Sequence, residues 1–244
     1  MNSYQRLKGM ADILPGEVER WRSLEAKARH YFEACGFGEI RTPMLEPAEL
    51  FMRSVGEGSD IVHKQMYAFE DRGERKVALR PEMTASVVRA AIENGLLRKE
   101  KTLRFFYLGA MFRAERPQKG RQRQFHQLGA EILNTRPVES DVEMLCLIDG
   151  LFRFLGIPGF EIQVNHLGCS KDRKTFQEKL QLHLSGAKDS LCDDCRYRLE
   201  KNVLRVLDCK NPGCQPVIEK APKIEWCGPC GDEYARIREE AGAK

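Results

Sequence analysis

The stretch from Leu103 to Leu133 constrains the fold more than any other part of the chain. An apolar run from Leu103 to Phe112 has the composition of a strand; it breaks at Pro117 and Gly120 and resumes at Phe125. That pattern predicts two strands joined by a loop. The loop and its flanks carry Arg113, Arg116, Lys119, Arg121 and Arg123. So many like charges repel one another unless a polyanion sits among them, and guanidinium forks suit phosphate oxygens. A solvated basic loop is the competing reading. Glu115, Gln124, Gln127 and Glu131 add donors and acceptors to the same hairpin. On the returning strand, alternation puts Gln127, Gly129 and Glu131 on one face. A carboxylate buried there calls for a cationic or donor partner.

The surrounding sequence predicts helices at 17–35, 85–97 and 142–155 from three- and four-residue apolar steps. Short strands are expected at 39–46, interrupted by Pro43, at 66–69 paired with 76–80, and at 160–164. Gly56–Asp60 reads as a turn-rich loop. Hairpins outnumber helical crossovers, which favours an α+β fold with a mainly antiparallel sheet.

With 244 residues, the chain has room for one large domain or two smaller ones. The net charge of +4 permits nucleic-acid binding without demanding it, so the clustering at 113–123 matters more. The first residues contain no apolar core of a secretory signal, and no run is long enough to span a bilayer, so a cytoplasmic protein with no membrane partner is expected. Nine cysteines in such a chain point to metal or isolated thiols. Cys35, Cys146 and Cys169 are scattered, whereas Cys192, Cys195, Cys209, Cys214, Cys227 and Cys230 crowd together after a change of composition near residue 170. The boundary is therefore expected between domains 1–170 and 171–244. Two CxxC pairs, Cys192/Cys195 and Cys227/Cys230, suit a tetrahedral thiolate zinc site, with Cys209 and Cys214 as the competing pair. Such a metal would be structural, because no open position is implied.

The segment Phe112-Arg-Ala-Glu115 followed by Arg116-Pro-Gln-Lys-Gly-Arg-Gln-Arg-Gln-Phe-His-Gln-Leu-Gly129 resembles motif 2 of class II aminoacyl-tRNA synthetases, and its full string is similar to histidyl-tRNA synthetases. Residues 39–46 resemble motif 1, the dimer-forming unit, and Arg205-Val-Leu-Asp-Cys-Lys-Asn-Pro212 resembles part of that family's insertion domain. The resemblance implies the class II fold, an antiparallel sheet flanked by helices, here incomplete and followed by a small cysteine-rich insertion domain. It implies ATP, Mg²⁺, histidine and the acceptor end of tRNA(His) as ligands, and a homodimer. Glu82, Thr84 and Gln127 match the set that binds the ammonium of histidine, and Glu131 matches the carboxylate that reads the imidazole. Arg113 matches the catalytic arginine on the α-phosphate, Glu115 the residue near the adenine amino group, and Phe125 the aromatic under adenine. Gln118 and Arg121 match the loop reaching toward the outer phosphates and the tRNA. His63, His126 and His166 receive no assigned role.

The family's motif 3, its later histidine-binding loop and its anticodon-binding domain have no counterpart in this sequence. The expectation is a histidine–tRNA ligase catalytic fragment with little or no aminoacylation activity alone. A histidine-sensing regulatory paralogue of the ATP phosphoribosyltransferase system and a zinc-stabilised tRNA-binding module are the alternatives.

Overall fold

The computed structural model describes residues 4–56, 59, 61–99, 101–135 and 137–242. Most of the Gly56–Asp60 loop and the side chain of His63 lie outside the described residues. The chain forms two compact units, 1–160 and 161–244.

The first unit is built on two three-stranded sheets. One holds β1 (Gly38–Glu39), β5 (Leu103–Phe112) and β6 (Gln124–Leu133); the other holds β2 (Leu45–Pro47), β4 (Lys76–Leu79) and β3 (Tyr67–Glu70). The β5–β6 ladder is antiparallel and unbroken from Leu103↔Leu133 to Phe112↔Gln124, and β1 adds to β5 in parallel. The α+β expectation is met. One expected element divides, however: residues 39–46 supply two strands to different sheets. Pro43 has no N–H to continue a ladder. The buried guanidinium of Arg80 meets the chain there instead, donating from Nη1 to Thr42 O at 2.8 Å and from Nε to Ala110 O at 3.0 Å.

Alternation along β5 and β6 sends side chains to two different layers. Phe106, Leu108, Leu128 and Ala130 face α1 (Val18–Ala34) and α4 (Pro137–Phe154), where Phe32 stacks on Phe106 with ring centroids 5.0 Å apart. Arg104 and Glu143 lock β5 to α4 with a fork of 2.6 and 2.8 Å bonds. Tyr107, Met111 and Phe125 face the other way, with Met83 and Val87 at α3 (Thr84–Glu93). Burying both faces fixes the register, because a one-residue slip would exchange the two layers. A further helix, α2 (Ala48–Val55), covers the smaller sheet through Phe51 and Ala78.

The second unit contains α5 (Ser170–Ser185), α6 (Asp193–Lys201), α7 (Gln215–Ile218) and α8 (Gly228–Gly242). Leu180, Leu184, Leu191, Leu199 and Val206 form its core with Cys195, Cys209 and Cys214. By its contacts this unit begins at residue 161, ahead of the change of composition near 170. The expected strand 160–164 belongs to no strand in the structure, and carbonyls at 164 and 166 accept from side chains of the second unit. Tyr234 donates its hydroxyl to Val164 O at 2.9 Å, and Trp226 Nε1 donates to His166 O at 3.0 Å. No helix among the described residues is long and apolar enough to cross a membrane.

Candidate active site

The start of α3 gathers two carboxylates with a donor between them. Glu82 accepts from the amides of Thr84 (2.7 Å) and Ala85 (3.1 Å), occupying donors that a helix start leaves free. The Thr84 hydroxyl donates to Glu131 Oε1 at 2.7 Å across from β6. Tyr107 also donates to Glu131 Oε1, at 3.4 Å. Burial raises the Glu131 carboxyl above its usual range, and the nearby charge of Glu82 adds to the rise against the opposing bonds from Thr84 and Tyr107. Burial, then Glu131, pushes the Tyr107 phenol up to about 12, so it stays a donor. No basic side chain forms an ion pair with Glu131 among the described residues. Four residues away on the same face, Gln127 Oε1 is buried and accepts no hydrogen bond. A raised carboxyl, a second carboxylate and an orphaned acceptor on the same strand face suit a cationic, hydrogen-bond-donating ligand.

Tyr107 is a site residue that sequence reasoning missed. A Cβ at Gly129 would overlap its ring, so Gly129 makes the room that lets the hydroxyl reach Glu131. The signal was available in the register, since Tyr107 pairs with Gly129.

Beside these carboxylates lies the arginine cluster. Arg113 Nε donates to Pro81 O at 2.8 Å, next to Glu82, and its guanidinium carbon stands 5.0 Å from the Phe125 centroid. The contact with Phe125 is a cation–π arrangement. Glu115 lies between two arginines, 3.9 Å from Arg113 Nη1 and 3.4 Å from Arg121 Nη1. Gln118 and Arg121 exchange backbone hydrogen bonds (3.1 and 2.9 Å) and close the loop tip at Gly120, whose φ is +78°. The loop is braced by the N-terminal strap: Arg123 N and Gln124 N both donate to Gly9 O, at 2.7 and 3.2 Å. Between strap and loop opens a cleft of about 720 Å³ bordered by Lys8, Pro117, Gln118, Lys119 and Gln122. Like-charge repulsion in the loop is thus offset only in part by Glu115, and Arg116 and Lys119 stay on the open side. His126 is exposed and packs on Trp21 at 4.7 Å, away from the carboxylates.

The cysteines regroup relative to expectation. Cys192 and Cys195 lie with Cys209 and Cys214; Cys227 and Cys230 lie with Cys169 and Asp172. The expected quartet of Cys192, Cys195, Cys227 and Cys230 is not brought together. The reason is the core: Cys195, Cys209 and Cys214 are buried in one apolar cluster with Leu191 and Val206, and Cys230 is not part of it. Cys169 and Asp172 were missed, although Cys169-Ser-Lys-Asp172 has the same spacing as a CxxC pair.

Residues 9–172 match the histidyl-tRNA synthetase family. Among curated proteins, the histidine–tRNA ligase of Geobacter metallireducens is 47% identical over 95% of this chain and 57% of its own length. That of Parasynechococcus marenigrum is 50% identical over 92% of this chain and 52% of its own. Among solved structures, apo histidyl-tRNA synthetase of Staphylococcus aureus superposes with a TM-score of 0.76 at 27% identity, covering 99% of this chain and 55% of that one. The chain spans about half the length of the relatives it matches. With the family matched across both the acidic cluster and the arginine hairpin, the chain belongs to the histidyl-tRNA synthetases.

Proposed function

We propose that the first unit binds histidine and Mg²⁺–ATP side by side and positions them to form histidyl-adenylate, the intermediate from which tRNA(His) is charged. The observation that carries the reading is the Glu82–Thr84–Glu131 cluster, which has no basic partner among the described residues, with Arg113 bonded to the neighbouring Pro81 carbonyl. The ammonium of histidine would satisfy Gln127 Oε1 and the carboxylate of Glu82, with the Thr84 hydroxyl alongside. The imidazole N–H would donate to Glu131. Arg113 would face the α-phosphate, with Phe125 steering its guanidinium and offering apolar surface to adenine. Glu115 would accept from the adenine amino group, and Gln118 and Arg121 would meet the outer phosphates.

The reaction needs no protein nucleophile. The carboxylate of histidine attacks the α-phosphorus, pyrophosphate leaves, and the terminal ribose hydroxyl of tRNA later attacks the acyl carbon. Proximity and a preorganised cation supply the acceleration. Arg113 is already held by Pro81 O, so little reorganisation is needed as negative charge grows on the phosphoryl oxygens. Loss of one such donor costs on the order of 3 kcal/mol of transition-state stabilisation. Arg116, Lys119 and Arg123 would meet the tRNA acceptor end through salt-sensitive phosphate contacts. A homodimer through residues 39–46 and a cytoplasmic location complete the reading.

Because the chain spans about half of its relatives, the test is ligand binding, not turnover. Calorimetry on the 244-residue chain should show one histidine bound per chain. Arg113→Ala should abolish ATP binding and leave histidine binding in place. Failure of both ligands to bind would overturn the proposal. A histidine-sensing role would retain the histidine site without a need for Arg113, so ATP binding by the unaltered chain decides between the two.

A further inference from the structure

We propose that residues 161–244 hold two structural zinc ions in separate sites, one ligated by Cys192, Cys195, Cys209 and Cys214, the other by Cys169, Asp172, Cys227 and Cys230. In each set the four ligand atoms all lie within 4.8 Å of one another. In the all-cysteine set, Cys192 Sγ and Cys209 Sγ are 3.9 Å apart. Zinc–sulfur bonds of about 2.3 Å at tetrahedral angles separate sulfurs by about 3.8 Å. A disulfide would bring them to about 2.05 Å, and all nine cysteines are free.

The backbone supports thiolates at this position. Cys192 N donates to Cys214 Sγ at 3.2 Å, and Asn211 N donates to Cys209 Sγ at 3.4 Å. Such bonds to sulfur orient the ligand and stabilise its charged form. The set also occupies the middle of its unit's core, with Cys195 and Cys214 fully buried. A small unit whose centre is four sulfurs gains its missing cohesion from a metal.

The second set stands on a different observation. Asp172 is 6% exposed, yet among the described residues its carboxylate has no basic partner; Cys227 N donates to it at 3.2 Å. A buried carboxylate together with three thiols makes a four-ligand set suited to a cation. Three helices repeat one device: Cys169, Cys192 and Cys227 immediately precede α5, α6 and α8, and Asp172, Cys195 and Cys230 follow in their first turns. In each, the amide of the fourth helical residue donates to the carbonyl of the leading cysteine, as in Arg173 N to Cys169 O, Arg196 N to Cys192 O and Gly231 N to Cys227 O. That turn aims both ligands of a pair at one point, and the helix N-terminus favours their negative charge. On the far side of Cys230, His166 Nε2 is buried without a hydrogen-bond partner and lies within the same reach of Cys230 and Glu233. It is the competing light ligand.

The full chain, purified without chelator, should carry two zinc ions by elemental mass spectrometry. Cys192→Ser with Cys195→Ser should remove one, and Cys227→Ser with Cys230→Ser the other. One zinc, none, or iron in the unaltered chain would overturn the proposal, as would loss of both ions from a double variant that keeps its helical circular dichroism, because the two sites would then not bind independently. X-ray absorption on the unaltered chain gives a readout that does not depend on any variant folding. It should show zinc with sulfur and a light ligand in a ratio of seven to one. An outer shell characteristic of imidazole would replace Asp172 by His166 and overturn that assignment.

Discussion

Glu131→Gln separates what the carboxylate does for a ligand from what it does to the fold. The substitution keeps an acceptor for the Thr84 hydroxyl at 2.7 Å and for Tyr107 at 3.4 Å, but removes the charge. In the free chain that charge is unfavourable, since burial and Glu82 together outweigh the two donors and raise the carboxyl above its usual range. A carboxyl raised on folding binds its proton more tightly in the native than in the unfolded state. The native chain therefore loses stability as pH climbs from the ordinary carboxylate range through the raised value. The variant should lack that slope and be the more stable chain at neutral pH. Its histidine binding should move the opposite way. Hydrogen bonds to charged groups are worth about 1.5–3 kcal/mol, so the dissociation constant should rise roughly ten- to hundred-fold. Urea unfolding across a pH series and calorimetry with histidine read the two effects. A variant less stable at neutral pH, or one that binds histidine as tightly as the parent, would show that the Glu131 charge neither strains the free chain nor holds the ligand.

Two glycine substitutions test the supports of the site. Gly129→Ala drives a methyl into the Tyr107 ring, so the chain should lose about 1–3 kcal/mol in urea unfolding and bind histidine more weakly. An unchanged unfolding midpoint would show that Tyr107 is free to move. At Gly9, φ is +86° and an added Cβ would stand 2.8 Å from Pro117 and 2.9 Å from Arg123. Gly9→Ala should therefore detach the strap from the hairpin and weaken ATP binding measured by calorimetry, while histidine affinity stays as it was; parallel loss of both ligands would contradict the division of the site.

The hairpin was legible because β5 and β6 are long apolar runs and Pro117 and Gly120 punctuate the loop between them. The two faces of β6 were legible for the same reason, since alternation alone puts Gln127 and Glu131 together. The division of residues 39–46 was not, because strands of two and three residues carry no period to read. Residues 160–164 alternate like a strand but give the Val164 carbonyl to Tyr234, a contact made across seventy positions of sequence. The bond from the Thr84 hydroxyl to Glu131 was not legible either, because it joins positions 47 residues apart. Cysteine spacing revealed pairs but not which pairs meet. That choice lies in the apolar cluster around Cys195 and Cys214, and a mixed Cys169/Asp172 pair is invisible to a search for cysteines alone.

A crystal of the 244-residue chain grown with histidine would show whether the acidic cluster and Arg113 form one amino-acid site. The ammonium should lie between Glu82, Thr84 and Gln127, the imidazole on Glu131, and the ligand's carboxylate should turn toward Arg113. Histidine bound elsewhere, or bound with its carboxylate turned away from Arg113, would contradict the single site.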